Sequence, residues 1–595
     1  MKKINNIFRS AILTVVLVSC TLMTSCIDFL TIYPTDTVIH DKYWQTIDDV
    51  NGMLAASYLQ LLSDDAVKRY IVWGELRSDN MIAKLDADNK HKYIINANIL
   101  PNNEYCKWDK FYKAINHANL VLEYAPLVVD RDPNFTEGDL KIVKGEMYAI
   151  RALCHFYLVR AFRDVPLSYT ANLNDHELPA YKQVHPVVAL DSIMNDLDRA
   201  EPMVMNSGGF SINKHQHNFG RITRNAVRAI KADVALWQAA FAKYYEDADT
   251  VTVGNPDDYY RTCIENCDLV ITEMNKALIE EYNKIGITDI EMGPGTDNPF
   301  YLISYEDTEL AKERRWNYAY DDIFGIGNST ESIFELQFDR TKNKNGVLEA
   351  FFGRPSAVGE FCVPDNVGEL YAGSGTDPLI DLRMTAYTTI PGGTVTSDAN
   401  QEDQQIVISK YVAESSPALE ISADGSVGNN DDNFRSKGEC DANWIMYRKT
   451  DVMLMKAEAI SLTSTSNNDD LRKAFDLVKA VNDRSLVLVN PEDSLSFANY
   501  SSAESMQELV LDERNRELMY EGKRWFDLVR KALREKSTEN ILFVADKLTN
   551  NSGAVKSKMA TINTLFFPIA ESEMDANPYL RQNPAYIISS SIEQK

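Results

Sequence analysis

The chain has 595 residues, of which 45% are hydrophobic, so it can build a large globular core. Its formal net charge of −26 at pH 7 argues against nucleic-acid binding, which needs clustered Lys and Arg. The same acidity disfavours electrostatic docking on anionic lipid headgroups.

The N-terminus is predicted to direct export. Basic residues precede an apolar run at 11–18, which is far shorter than the roughly 20 residues that a membrane span needs. Two cysteines follow, Cys20 and Cys26, and the residues before either one are compatible with lipoprotein processing. Diacylation would hold the protein on a membrane, since each buried CH₂ contributes about 0.8 kcal/mol.

Apolar residues recur at helical spacing through most of the remaining chain. The predicted helices are Asp41–Leu62, 104–125, 138–165, 187–204, 223–245, 256–281, 444–463 and 469–484. Pairs of helices joined by short links are typical of a solenoid of the tetratricopeptide type. The stretch 71–103 has no steady period and is rich in Asp and Asn, so it is predicted to be a long ordered loop.

An irregular insertion at 283–442 interrupts this pattern. It is rich in Gly, Pro, Asn and Asp, and the segments 332–338 and 405–412 predict short strands. A long irregular insertion in a helical scaffold is where a binding surface is expected.

Three aromatic residues alternate within the insertion: Trp316, Tyr318 and Tyr320. Exposed rings flanked by Arg and Asp can stack on the apolar faces of sugars while the polar neighbours bond to hydroxyl groups. The residues alone leave open the alternative of an edge strand with packed aromatics.

A strongly charged run, Leu511–Lys531, is predicted to form one helix with an apolar stripe on one side. Glu513, Glu517 and Glu521 could supply the carboxylate pair of a glycoside hydrolase. Each has an arginine within helical reach, so a structural network of ion pairs is the preferred interpretation. Gly522, which is unfavourable inside a helix, predicts the close approach of another backbone.

Sequence motifs for common catalytic and cofactor chemistry are not found. The zinc motif HExxH fails at His176, and neither GxSxG nor a P-loop occurs. We therefore predict no catalytic residue, no cofactor and no metal site. Buried free thiols are predicted for the widely scattered cysteines Cys106, Cys154, Cys263, Cys267, Cys362 and Cys440.

Several segments together resemble the RagB/SusD family of surface nutrient-binding lipoproteins. The matching segments are CIDFL at 26, WDKFYKAINHANLVL at 108, GEMYAIRALCHFYLVRAFRDVPL at 145, GRITRNAVRAIKADVALW at 220, WIMYRKTDVMLMKAEAI at 444, LDERNRELMYEGKRWFDLVR at 511 and FFPIAESEMDANPYLRQNPAY at 566. They follow the family's order and cover essentially the whole mature chain. One departure is Arg163, where the family has glycine.

The resemblance implies a mostly α fold, in which 26–282 and 443–595 form a tetratricopeptide-like scaffold and the loop-rich insertion carries short β-strands and the ligand face. It implies that Cys26 is acylated after removal of a signal peptide at 1–25, because the family places DFL directly behind its anchor. The protein would then be lipid-anchored in the outer membrane, facing the cell exterior. It would bind glycan without being an enzyme and deliver it to a SusC-like TonB-dependent transporter.

Further ligand-binding candidates follow from their position in the family. They are Arg69 and, after the segment GELRSDN, Lys84, Asp88, Asn89 and Tyr93. Two other classes of function stay open. A glycoside hydrolase would release product, whereas a helical-repeat scaffold would bind only other polypeptides.

Overall fold

Helices make up most of the chain that the computed structural model describes, namely residues 43–173, 180–207, 220–249, 251–284, 300–303, 318–371, 380–389, 406–415, 420–421, 427–428, 433–487, 494–548 and 550–587. The helices are α1 Ile47–Leu61, α2 Asp64–Gly74, α3 Asn89–Ile95, α4 Asp109–Tyr124, α5 Pro126–Val129, α6 Glu137–Phe162, α7 Pro186–Ala200, α8 Arg224–Tyr244, α9 Pro256–Lys284, α10 Tyr318–Tyr320, α11 Gly346–Phe352, α12 Val367–Leu370, α13 Leu382–Tyr387, α14 Lys449–Leu462, α15 Asn468–Asp483, α16 Ala503–Leu518, α17 Arg524–Glu535, α18 Ser552–Lys558 and α19 Glu571–Ala576. Short 3₁₀ turns lie at Glu104–Cys106, Phe497–Tyr500, Glu539–Lys547, Ile562–Leu565 and Pro584–Tyr586, and a π turn at Asp321–Ile326. The predicted mostly α fold is confirmed.

The strands are short and all of their pairings are antiparallel within the described ranges. They are β1 Ile82–Ala83, β2 Val165–Pro166, β3 Gln183–Val184, β4 Ser332–Leu336, β5 Gly353–Arg354, β6 Ala357–Val358, β7 Phe361–Val363, β8 Ile380–Asp381, β9 Thr388–Thr389, β10 Ile406–Ile408, β11 Glu420–Ile421, β12 Val427–Gly428, β13 Trp444–Arg448 and β14 Leu486–Val487. A four-stranded sheet has the order β1-β7-β10-β9, and the other strands form pairs.

Successive long helices pack against one another to form the scaffold. α1 packs on α4, α4 on α6, α6 on α7, α7 on α8 and α8 on α9. The series then skips the insertion, because α9 packs on α14, which in turn contacts α15 and α16. The chain therefore leaves the helical stack after α9 and returns to it at the same place, as expected for an insertion in a helical-hairpin scaffold.

Local residues explain the limits of α6, the long helix that the pattern at 138–165 predicts. Its start is fixed by a capping box, in which Thr136 and Asp139 bond to each other's backbone N–H. It ends at Arg163, whose φ of 68° lies where glycine is favoured. The departure from the resembled sequence pattern at this position therefore places an arginine in a backbone conformation that favours glycine.

Several segments differ from their predicted structure. Residues 89–95, predicted as loop, form α3, because Asp88 caps the helix by accepting the Lys90 N–H and because Ile94 and Ile95 are buried. Residues 444–448, predicted as the start of a helix, form β13, which pairs with β4 and is buried along its whole length. In β13 the backbone of a strand more than a hundred residues away overrides the local helical pattern.

The charged run is broken into two helices, α16 and α17, so the prediction of one continuous helix is wrong. The chain turns between them through Tyr520 and Gly522, which have φ of 66° and 70°. The predicted close approach at Gly522 is confirmed, because a Cβ atom built on Gly74 would lie 1.9 Å from the Gly522 carbonyl oxygen. The Glu75 carboxylate stabilises the turn by accepting the N–H groups of Tyr520, Lys523 and Arg524.

Candidate functional site

The four-stranded sheet brings the segment after α2 against the insertion. β1 pairs with β7, with Ile82 opposite Cys362 and Ala83 opposite Phe361. The pairing continues through the Lys84 N–H, which donates to the Glu360 carbonyl oxygen at 3.2 Å. Two regions that the sequence marks separately as ligand candidates are therefore neighbours in space.

Helix α3 presents Asn89 and Tyr93 to solvent at this junction. They are four residues apart and lie on one face, while His91, Ile94 and Ile95 are buried on the other. The Tyr93 side chain is 44% exposed. An aromatic ring beside an amide group offers both stacking and hydrogen bonding. We call the exposed and half-buried residues of 84–100 the α3 surface.

The insertion holds α3 through a chain of hydrogen bonds that runs from Glu360 to the buried His91 ring. The Glu360 carboxylate accepts the Asp88 N–H at 2.5 Å and His91 Nδ1–H at 2.9 Å. On the far side of the imidazole ring, the Tyr105 hydroxyl donates to Nε2 at 2.8 Å. Burial lowers the pKa of His91, although Glu360 opposes the shift, so the ring is neutral at pH 7.

Positive charge on the α3 surface is already engaged. Lys84 pairs with Asp86 at 3.4 Å, and the Lys90 ammonium pairs with Asp88 at 3.2 Å. Lys90 also lies 2.9 Å from a Glu104 carboxylate oxygen. The ammonium group of Lys92 donates to the Leu85 carbonyl oxygen at 2.7 Å.

The most exposed apolar side chain on this surface has no periodic pattern in the sequence that would mark it. Leu85 is 89% exposed, and Leu100 is 47% exposed. Leu85 lies in the polar run 84–92, where no apolar period could single it out.

The structure contradicts two of the predicted ligand contacts. Tyr320 is buried, and its hydroxyl donates to the carbonyl oxygens of Ser409 and Ala413, so its ring cannot stack on a ligand. Arg69 is also buried. Its guanidinium donates within the protein to the carbonyl oxygens of Asp65, Glu104 and Lys107.

The other predicted site residues differ in where the structure places them. Lys84, Asp88, Asn89 and Tyr93 lie together on the α3 surface. Tyr318 begins the short helix α10. Trp316 and Cys26 lie outside the described residues.

The carboxylates of the charged run are buried in ion pairs. Glu517 accepts hydrogen bonds from three guanidinium groups, those of Arg383, Arg448 and Arg484. Burial raises the pKa of Glu517, but these arginines outweigh it and hold the pKa well below its ordinary value. Glu521 is paired with Lys410 at 2.8 Å and Arg448 at 2.7 Å, and Glu513 with Arg383 at 2.6 Å.

These pairs and two further groups of buried ion pairs, one around Arg514 and one between Arg524 and Asp79, join α16 and α17 to the scaffold and the insertion. We call the three groups together the ion-pair lattice. Its members are Asp79, Asp233, Glu331, Asp381, Arg383, Lys410, Arg448, Asp451, Glu458, Arg484, Glu513, Arg514, Glu517, Glu521, Lys523, Arg524, Asp527 and Arg530. The structural interpretation of the charged run is confirmed, because no carboxylate of a catalytic pair is free or accessible among Glu513, Glu517 and Glu521.

Other features of the described chain bear on metals, thiols and membranes. The six cysteines at 106, 154, 263, 267, 362 and 440 are buried and free, as predicted. Within the described ranges, no three His, Cys, Asp or Glu side chains are grouped so as to hold a metal ion. No helix in this part of the chain is long and apolar enough to cross a membrane.

Two family models match the sequence. The model described as "SusD family" matches residues 330–586, and the model described as "Starch-binding associating with outer membrane" matches residues 40–236. The first covers most of the insertion and the C-terminal helices, and the second covers the α3 surface.

Individual proteins resemble the chain over almost its whole length. SusD-like protein P38 of Formosa agariphila is 24% identical over 98% of this chain and 100% of that protein. A solved SusD homolog from Bacteroides thetaiotaomicron superposes with a TM-score of 0.63 at 17% identity, covering 92% of this chain and 98% of that one. A SusD superfamily protein from Bacteroides vulgatus has a TM-score of 0.62 at 16% identity, covering 91% and 100%. These two structures establish the fold.

Proposed function

The chain belongs to the SusD/RagB family, and from that premise we propose that it is a surface lipoprotein that binds nutrient oligosaccharide or polysaccharide and delivers it to a SusC-like TonB-dependent transporter. The observation that carries the proposal is the α3 surface. There Asn89 and Tyr93 are exposed side by side at the junction with the insertion, inside the segment matched by the starch-binding family model.

The chemistry of this surface suits a sugar ring. The apolar C–H face of a pyranose can stack on the Tyr93 ring, and its hydroxyl groups can bond to the Asn89 amide. Trp316 and Tyr318, in the adjoining insertion, remain proposed as further contacts. Lys84 and Asp88 are proposed as polar contacts at the rim.

The charges favour a neutral glycan over a uronate or a sulfated one. Each lysine of 84–92 is engaged by a carboxylate or carbonyl oxygen, and the whole chain is strongly acidic. The net negative charge of the chain would therefore repel an anionic ligand, and the α3 surface would offer it few unpaired cations.

Anchoring and location follow the same proposal. Acylation of Cys26 after removal of residues 1–25 would tether the protein to the outer membrane, and export to the outer face would place the α3 surface in the medium. Binding without catalysis agrees with the burial and pairing of the charged-run carboxylates.

A polysaccharide panel tests the proposal. A soluble form that begins at residue 27 is run through native gels containing starch, xylan, galactomannan, pectin or a sulfated galactan, and soluble oligosaccharides are titrated by calorimetry. Retardation by a neutral polysaccharide with no release of product supports the proposal. Release of reducing sugar would indicate a hydrolase.

Two further outcomes would contradict it. Retardation only by the acidic polysaccharides would contradict the proposed preference for a neutral glycan. Retardation by none of them, with capture of polypeptides alone, would favour the helical-repeat scaffold. Delivery is tested by co-purification with the transporter from membranes.

A further inference from the structure

We infer that Glu360 is the positioning residue of the α3 surface, fixing from the insertion the helix that carries Asn89 and Tyr93. The role of that surface in ligand binding rests on the proposed function. The link between Glu360 and α3 rests on hydrogen bonds and can be tested without any ligand.

Glu360 is attached to the α3 segment at three points. Its carboxylate accepts the Asp88 N–H and the His91 ring N–H, at 2.5 and 2.9 Å, and its carbonyl accepts the Lys84 N–H at 3.2 Å. Its own N–H donates to the Ala350 carbonyl oxygen at 2.9 Å, within the insertion. One residue thus joins both ends of the turn before α3 to the insertion.

The imidazole of His91 transmits this constraint to the exposed face. His91 is buried, both of its ring nitrogens are hydrogen-bonded, and its ring packs edge-on against Phe351 and Phe361. Asn89 and Tyr93 lie two residues before and after it, which at about 100° per residue places both on the opposite side of the helix. Holding the His91 ring therefore sets the direction of both exposed side chains.

Helix α3 depends on such anchors because it is short. It has 7 residues, and helices shorter than about 12 residues are marginal when isolated in water. The scaffold helices pack on one another without α3, so loss of the Glu360 carboxylate should loosen α3 alone.

Hydrogen exchange and binding of matched variants test the inference in the full chain, purified in detergent. In Glu360→Ala we expect the amides of 89–98 to exchange at least tenfold faster, with the scaffold amides unchanged. Binding of the panel polysaccharide that retards the wild-type chain should weaken at least fivefold. Glu360→Gln keeps a carbonyl oxygen as acceptor and should restore most of both properties.

Glu349 provides the control within the same insertion. It is similarly half-buried, pairs with Arg354 at 2.9 Å and accepts the Gly438 N–H at 2.8 Å. Glu349→Ala should change neither α3 exchange nor polysaccharide retardation. An equal effect in this variant would show a general loss of stability and overturn the role of Glu360.

Three other outcomes are decisive. Unchanged α3 exchange in Glu360→Ala would overturn the link, and so would faster exchange throughout the scaffold. Faster α3 exchange with normal polysaccharide retardation would overturn the positioning role. If the wild-type chain is retarded by no polysaccharide, the proposed function fails, and the exchange data still decide whether Glu360 fixes α3.

Discussion

The ion-pair lattice and the α3 surface are both built from charged and polar side chains, but one is buried and the other faces water. In the lattice, Arg514 and Glu517 are almost fully excluded from solvent and have several ionic partners each. On the α3 surface, Lys84 and Asp86 form a pair that water can replace. Removing one partner should therefore destabilise the fold in the first region and leave it nearly intact in the second.

The two regions also differ in their expected roles, one structural and one in ligand binding. The lattice connects α16 and α17 to distant segments, including Arg383 and Lys410 of the insertion, and so fixes the insertion on the scaffold. The α3 surface exposes Asn89 and Tyr93, the side chains that we propose contact a ligand. Mutations in the lattice should change stability, whereas those on the surface should change affinity.

Arg514→Ala should have the largest effect. Arg514 donates to Asp527 at 2.9 Å and to Asp451 at 3.0 Å, and its loss leaves excess negative charge in the core. We expect the free energy of unfolding to fall by about 3–5 kcal/mol, measured by urea denaturation, with normal affinity in the folded fraction.

Arg340 is the matched control, because it also pairs with two carboxylates, Glu414 and Asp441, but its side chain is 49% exposed. Arg340→Ala should cost about 1 kcal/mol or less. Equal losses in the two variants would remove the distinction between the two regions.

Acid should weaken the lattice next. Burial raises the pKa of Asp451, but Lys523 and Arg514 outweigh it and lower the pKa to about 2. The pKa of Glu458 is likewise lowered to about 2 by Arg530 and other arginines, against the effect of burial. Between about pH 5 and pH 2 the unfolded chain therefore binds more protons than the folded chain, so stability is full above that range and is lost as pH falls through it.

Urea denaturation between pH 7 and pH 3 measures this loss of stability. Repeating the measurement at high salt shows whether the loss comes from buried or from exposed ion pairs. Salt screens exposed pairs far more than buried ones, so the loss should persist in 0.5 M NaCl, a concentration chosen because it shortens the Debye length to a few ångströms. Equal stability at pH 7 and pH 3 would show that the pKa values of these carboxylates are not lowered in the folded protein.

Tyr93→Ala should leave stability alone and reduce affinity. Loss of one stacked ring costs on the order of 1–3 kcal/mol by analogy with base stacking, so we expect about tenfold weaker glycan binding in calorimetry. The melting temperature should stay nearly constant, because the side chain is half exposed. Tyr579→Ala removes a ring that is 54% exposed on the C-terminal segment and should affect neither property. Early unfolding of Tyr93→Ala would instead place Tyr93 among the packing residues.

Cys26→Ala should change neither region. We expect loss of acyl labelling and release of the protein from membranes, with normal unfolding and glycan affinity, because residue 26 belongs to neither region. Cys20→Ala is the control, since residue 20 lies in the predicted signal peptide and its loss should leave labelling unchanged. Labelling that persists in the Cys26 variant would contradict the assignment.

Local periodicity in the sequence determined the helical scaffold, because a helix such as α6 or α8 is specified by residues three and four positions apart. The same reasoning identified the paired nature of the charged run. It also placed Asn89 and Tyr93 among the candidates, although only through the family resemblance.

Only the tertiary structure decided features that depend on residues far apart in the chain. The run at 511–531 breaks because Gly74 meets Gly522 and Glu75 binds the N–H groups of the turn, and 444–448 is a strand because β4 offers it a partner. Tyr320 is buried at a place where its hydroxyl can bond to the carbonyl oxygens of Ser409 and Ala413. Such contacts leave no periodic signal in a sequence, since each pairs segments whose separation along the chain is set by the fold.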